Sequence, residues 1–278
     1  MTIHDVLKLN ITKLKEHNIE EPILKAKILL AFVLCKTKEY LLINQNEEIN
    51  KDIIKIYETN IEKIINGFPI QYITNKKEFM GLDFFVNESV LIPRNDTEIL
   101  VEESLNIIKK HNMHEILDLC TGSGAIAVSI AKNIENAKII ATDISEEALK
   151  IAEKNAMQNE VSKRILFKKS DMFNDIDCLF DLVISNPPYI EEKTIKKLSN
   201  EVQKEPQIAL NGGKDGLKFY RIIANNAKKV LRKNGYLLLE IGYNQKNDVI
   251  KILDNSKYKN IYSKKDLEGN DRIIVCQN

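Results

Sequence analysis

The sequence predicts an α/β fold in two parts: a small N-terminal α-helical bundle, then an open, mostly parallel sheet of seven strands with an antiparallel last strand. Three observations carry this. Apolar residues recur at helical spacing over residues 2–66, and short apolar strands alternate with helical patterns beyond Pro93. Only about eight residues join the last two strands, too few for a parallel crossover.

In the N-terminal part, Val6, Leu7, Leu9, Ile11 and Leu14, then Ile23, Leu24, Ile28 and Leu29, set the helical period. Gly67 and Pro69 end it. Over residues 79–92 apolar and polar residues alternate around Gly81 and Asn87, which predicts a connecting hairpin. The predicted strands follow at residues 116–119, 138–142, 165–168, 182–185, 236–241, 261–264 and 273–276. Helical patterns fall at 125–134, 146–158 and 217–231, the last closed by Gly235 as a helix stop. Gly269 and Asn270 turn the final hairpin.

A length of 278 residues favours one large domain with a smaller companion, and 44% hydrophobic with 29% charged residues is an ordinary globular composition. Lys plus Arg number 41 against 40 Asp plus Glu, which gives no support for strong nonspecific nucleic-acid binding. The helical part has no Arg, and its lysines are matched by as many acidic residues, so a protein partner suits it better than nucleic acid. Cys35, Cys120, Cys178 and Cys276 are scattered, without the close pairs of a zinc site or a disulfide framework, so no metal is expected and a reducing cytoplasm fits. Residues 1–10 include Asp5 and lack the apolar core of a secretory signal. The longest apolar run, residues 28–35, falls short of the roughly 20 needed to span a bilayer, so no membrane association is expected.

The segment Asp118-Leu119-Cys120-Thr121-Gly122-Ser123-Gly124 joins a short apolar strand to an apolar helix. Its glycines let bare main chain approach a ligand, yet it matches neither the three-glycine dinucleotide fingerprint nor a phosphate loop. Asp143 ends the next strand, where a carboxylate can accept from both hydroxyls of a ribose. Asp171 follows the third strand and could accept from an adenine amino group, with Met172 and Phe173 available to cover the ring. Singly, these read as a tight turn, a helix cap before Ser145 and a surface acid. At successive strand ends they outline one nucleoside site.

The fourth strand, residues 180–185, opens into Asn186-Pro187-Pro188-Tyr189. A planar nitrogen is a poor nucleophile because its lone pair is delocalised, so it must be aimed. The Asn186 side-chain oxygen and the Pro187 carbonyl can accept its two hydrogens and direct the lone pair at a sulfonium methyl. Proline offers a carbonyl with no competing N–H, the second proline stiffens the turn, and Tyr189 is expected to stack on the planar group.

These residues resemble the HemK/PrmC family of peptide chain release factor glutamine methyltransferases over nearly the whole chain. The resemblance rests on Pro69-Ile70-Gln71-Tyr72-Ile73, Phe79-Met80-Gly81, Val90-Leu91-Ile92-Pro93-Arg94, the glycine loop and Asn186-Pro187-Pro188-Tyr189-Ile190. It continues through Asn211-Gly212-Gly213-Lys214-Asp215-Gly216-Leu217 with Tyr220-Arg221, Leu239-Glu240-Ile241-Gly242 and Gly269-Asn270-Asp271-Arg272. It implies a class I S-adenosylmethionine-dependent methyltransferase with a Rossmann-like sheet. The implied layout is a helical substrate-recognition domain over 1–75, a β-hairpin linker over 76–94 and a catalytic domain over 95–278. By position, Cys120, Thr121, Gly122, Ser123, Gly124, Asp143, Met172 and Asn186 are expected at the cofactor, joining Asp171 as read from its strand end, and Asn186, Pro187, Pro188 and Tyr189 at the substrate. The implied acceptor is the glutamine of the Gly-Gly-Gln motif in class I release factors. Cys120 stands where the family often has Gly, and Asn95 where it often has Pro.

Three rival readings share some of this pattern. Similar motifs serve adenine amino groups in DNA, but such enzymes extrude a base and contact many phosphates, which near-zero charge does not favour. A ribosomal-protein glutamine methyltransferase would share the same catalytic residues, and only the N-terminal domain would separate it. A cofactor-binding regulator without activity would not need the intact Asn186 motif.

Overall fold

Thr2 opens the first helix with a reciprocal cap, its hydroxyl accepting from the Asp5 amide while the Asp5 carboxylate accepts from the Thr2 amide. In the computed structural model, which describes residues 1–278, that helix is α1 (Ile3–Glu16). It is followed by α2 (Pro22–Leu34), α3 (Lys38–Ile43), α4 (Lys51–Ile65) and α5 (Ile70–Thr74). Their apolar stripes share one core around Val6, Leu14, Leu30, Tyr57 and Ile61, and the Tyr57 hydroxyl donates to the Ala26 carbonyl at 3.1 Å. A second piece of chain, Ser199–Lys204, belongs to the same unit as Met1–Asn75. Glu201 pairs with Lys25, and a Cβ on Gly67 would lie 2.5 Å from that of Asn200, so only glycine fits there.

The other unit, Lys76–Leu198 with Glu205–Asn278, begins with a hairpin of β1 (Lys77–Phe79) and β2 (Leu82–Phe84). Met80 and Gly81 make its two-residue turn with φ of 53° and 71°, the pair of positive values that matches strand twist. This hairpin starts earlier and ends sooner than the alternation over 79–92 suggests. The reason is that side chains, not a ladder, satisfy the backbone beyond it: the Asn155 amide bonds both backbone groups of Phe85, and Glu205 accepts from the Ile92 amide.

Helices and strands then alternate: α6 (Asp96–His111), β3 (Glu115–Leu119), α7 (Ala125–Asn133), β4 (Lys138–Asp143), α8 (Glu146–Gln158), β5 (Ile165–Lys169) and β6 (Phe180–Ser185). Two short helices, α9 (Glu192–Ile195) and α10 (Gln207–Leu210), precede α11 (Lys218–Val230), β7 (Leu231–Glu240), α12 (Lys246–Asn255), β8 (Lys259–Lys265) and β9 (Asp271–Gln277). The sheet order is β5-β4-β3-β6-β7-β9-β8, parallel from β5 to β7, with β9 antiparallel to both neighbours. The pleat sorts the strand residues between two cores: Ile116, Leu182, Ile184, Leu238, Ile273 and Val275 enter one, and Leu117, Val183, Leu237, Leu239, Ile274 and Cys276 the other. Because both faces are covered, the central strands read as continuous apolar runs.

Gly235 does not stop a helix. The helix ends at Val230 and β7 starts at once, pairing Leu231 with Phe180 before an irregularity lets Tyr236 meet Leu182. Asn234 takes φ 64° there, and a Cβ on Gly235 would lie 2.9 Å from the Arg232 carbonyl oxygen, so the glycine serves a bulge. No helix is long and apolar enough to cross a membrane.

Candidate active site

The strand order reverses between β3 and β6, and in open parallel sheets the crevice beyond the carboxyl ends at such a point is where ligands bind. A cleft of about 250 Å³ lies there. Each strand end contributes to its wall: Cys120 and Gly122 after β3, Asp143 and Ser145 at β4, Asp171 and Met172 after β5, Asn186 and Pro188 after β6.

The loop after β3 is wound by three residues with positive φ, Cys120 (59°), Gly122 (55°) and Gly124 (79°). Cys120 therefore occupies a conformation that glycine adopts freely, at a cost of about 1–2 kcal/mol. Gly124 precedes α7, and a Cβ there would lie 3.0 Å from that of Ala152, so it lets α7 pack closely on α8. Asp143 braces the loop: its Oδ2 accepts from the Gly122 amide and its Oδ1 from the Ser145 amide, each at 2.9 Å. Burial raises the Asp143 pKa while these two amides hold it down. Behind the loop, the fully buried Asp118 accepts from the Thr121 hydroxyl at 2.6 Å, and burial pushes its carboxyl up to about 7.

Of the residues expected at the cofactor, Cys120, Gly122, Asp143, Asp171, Met172 and Asn186 line the cleft. Thr121, Ser123 and Gly124 do not; they shape the turn behind it, and the Ser123 carbonyl accepts from Asn155. Of the residues expected at the substrate, Asn186 and Pro188 line the cleft, whereas Pro187 and Tyr189 lie outside its wall. The Tyr189 hydroxyl points inward, 3.4 Å from Glu240 Oε1, and burial and that carboxylate raise its pKa. Sequence reasoning did not single out Val90, Leu91, Ile208 and Phe219, which supply apolar walls. Their only sequence signal was the position of two of them in the Val90–Arg94 motif of the resemblance.

The lining suits a nucleoside joined to a non-phosphate group. It offers two carboxylates, bare backbone at Gly122, apolar flanks and a single cation, Lys218. A phosphate would meet Asp143 and Asp171 without an arginine to offset them.

Glu240, 1% exposed at the end of β7, is the other carboxyl that the fold buries here. Desolvation drives it up to about 7, against the pull of Thr97 and the Arg272 guanidinium. The ordinary value is 4.5. Between those pH values the folded protein keeps a proton that the unfolded chain releases, so stability from this group is full below pH 4.5 and lost as pH rises through 7, by about 3 kcal/mol. Glu240→Gln, which cannot titrate, is expected to lose less stability than wild type between pH 5 and pH 8 in urea denaturation. Equal losses would contradict this.

Comparisons with known proteins agree with the geometry. Residues 95–214 match the family model described as "Methyltransferase small domain" and residues 5–74 the "PrmC N-terminal domain". Among solved structures, a methyltransferase from Pyrococcus furiosus superposes with TM-score 0.54 at 18% identity, covering 79% of this chain and 98% of that one. The hMettl16 catalytic domain, solved with a MAT2A 3′UTR hairpin, gives 0.60 at 15% identity, covering 76% and 82%. At such identities they speak for the fold alone; together with the methyltransferase family model over residues 95–214, that fold is the one of a class I S-adenosylmethionine-dependent methyltransferase. The release factor glutamine methyltransferase of Clostridium acetobutylicum is 42% identical, covering 99% of this chain and 98% of that protein. That of Clostridium botulinum is 39% identical, covering 100% and 99%. The chain belongs to the release factor glutamine methyltransferase family.

Proposed function

We propose that this protein methylates the side-chain amide nitrogen of the glutamine in the Gly-Gly-Gln motif of class I peptide chain release factors, using S-adenosylmethionine and leaving S-adenosylhomocysteine. The observation that carries the reading is that Asn186 and Pro188, on either side of Pro187 in the chain, stand on the wall of the same cleft as Asp143. Asp143 and Asp171 would hold the nucleoside hydroxyls and base amino group, Gly122 would give it bare backbone, and Met172 would cover the base.

When bound, S-adenosylmethionine supplies an electrophilic methyl whose bond to sulfur breaks as the bond to nitrogen forms. Asn186 Oδ1 and the Pro187 carbonyl accept the two amide hydrogens and turn the nitrogen lone pair toward the cleft. As the nitrogen gains positive charge its N–H becomes acidic, and the carbonyl holding that hydrogen steadies it until water takes the proton. No strong base is needed. No Lewis acid is needed either, because the electrophile already carries positive charge, so EDTA is expected to leave turnover unchanged.

The helical unit is assigned to substrate recognition, where the exposed side chains of Leu42, Ile43 and Ile56 offer apolar contact to a protein. A release factor substrate places the enzyme in the cytoplasm. The test is mass spectrometry of release factor peptides after incubation with enzyme and cofactor: one glutamine gains a methyl group, and changing that glutamine to alanine abolishes it. Equal methylation of duplex DNA would overturn the choice of substrate.

A further inference from the structure

An asparagine amide has two ends of nearly equal size and opposite function, since Oδ1 accepts and Nδ2 donates. A substrate amide nitrogen arrives with hydrogens to give, so Asn186 works only with Oδ1 turned toward it. A flipped Asn186 would set NH2 against NH2.

Beneath the loop, Asn186 Nδ2 lies 3.2 Å from the hydroxyl oxygen of Thr97, a residue 4% exposed in the first turn of α6. A hydroxyl can donate as well as accept, so this contact alone leaves the amide orientation open. Glu240 decides it. It stands near enough to the Thr97 hydroxyl for that group to pull its pKa down, and it receives the Tyr189 hydroxyl at 3.4 Å, while its buried Oε2 has no hydrogen-bond partner. A charged, under-satisfied acceptor draws the Thr97 proton more strongly than an amide carbonyl does. With that proton committed, Thr97 has only lone pairs left for Asn186.

We infer that Thr97 and Glu240 are positioning residues that lock the Asn186 amide with its carbonyl oxygen toward the acceptor nitrogen, Glu240 taking the Thr97 proton and Thr97 taking one from Asn186. The inference rests on the proposed function for its consequence in turnover, but not for the orientation itself.

The test compares wild type, Thr97→Val and Thr97→Ser at pH 9, well above the value of about 7 to which burial pushes Glu240. Valine keeps the shape and removes the acceptor. Thr97→Val is expected to lower kcat on a release factor by roughly 100-fold, the scale of loss seen when a reacting group is misplaced. Affinity for S-adenosylhomocysteine should hold, because Thr97 does not line the cleft. Thr97→Ser should restore most of the rate, which a purely structural role for the methyl group would not allow. Unchanged kcat in Thr97→Val overturns the inference. A wild type that labels no release factor overturns the functional reading instead, and solvent exchange of the Asn186 side-chain NH2 then decides the inference. Those signals, identified by their loss in Asn186→Ala, should exchange at least about tenfold faster in Thr97→Val than in wild type or Thr97→Ser, the mark of a lost hydrogen bond. Equal rates in all three overturn it.

Discussion

Asn186→Ala is expected to lower kcat by about a thousandfold while S-adenosylhomocysteine binds almost as tightly as to wild type, since removing one preorganised polar group at a reacting centre costs on this scale. The physical reason is the division of labour in the cleft. Asn186 lines it after β6, whereas Asp143, Gly122 and Met172 line it at the ends of β4, β3 and β5 and would hold the nucleoside. Losing Asn186 leaves those contacts in place but frees a delocalised amide nitrogen to point anywhere. Single-turnover methylation together with calorimetric titration of the product cofactor separates the two quantities. A variant that turns over like wild type would remove Asn186 from the mechanism, and one that binds cofactor poorly would move its role to binding.

Asp143→Ala should do the reverse, raising the cofactor dissociation constant by about 100-fold or more. Two charge-assisted hydrogen bonds to hydroxyls, at about 1.5–3 kcal/mol each, set that scale. A further loss comes from the protein itself, because the Asp143 oxygens also hold the Gly122 and Ser145 amides. Asp143→Asn should fall between, since its amide keeps one acceptor oxygen while the NH2 faces a backbone donor. Calorimetry reads the series directly. Near-wild-type affinity in Asp143→Ala would show that the ligand lies elsewhere in the cleft.

The parallel strands and the three helices named from the sequence were legible because both sheet faces are buried and the resulting apolar runs are punctuated by turn residues. α6 and α12 were not placed. α12 is a polar-rich helix with only Val249 and Leu253 buried, and α6 hides charged Glu103 among its buried positions, so neither shows a clean apolar stripe. The start of β7 was misplaced because Arg232, Lys233 and Asn234 look like a helix end, and only the pairing of Leu231 with Phe180 makes them strand. At the site, Asp143, Asp171 and Asn186 stood out as polar residues ending apolar strands, which is where a parallel sheet gathers its chemistry. Glu240 ends β7 in the same way, yet with Ile241 after it the acid reads as a surface residue. Thr97 carries no local signal, because its role exists only once α6 lies against the end of β6.

The smaller unit is made from two stretches of chain far apart in sequence, Met1–Asn75 and Ser199–Lys204. It is therefore not a cassette that can be excised at one point. A fragment that begins at Lys76 would retain six residues stripped of Lys25 and of the glycine that accommodates Asn200, and a chimera between relatives would have to transplant both stretches together. If the smaller unit selects the partner, as proposed, that choice depends on a stretch of chain running within the methyl-transfer unit, so the two parts are expected to change in concert.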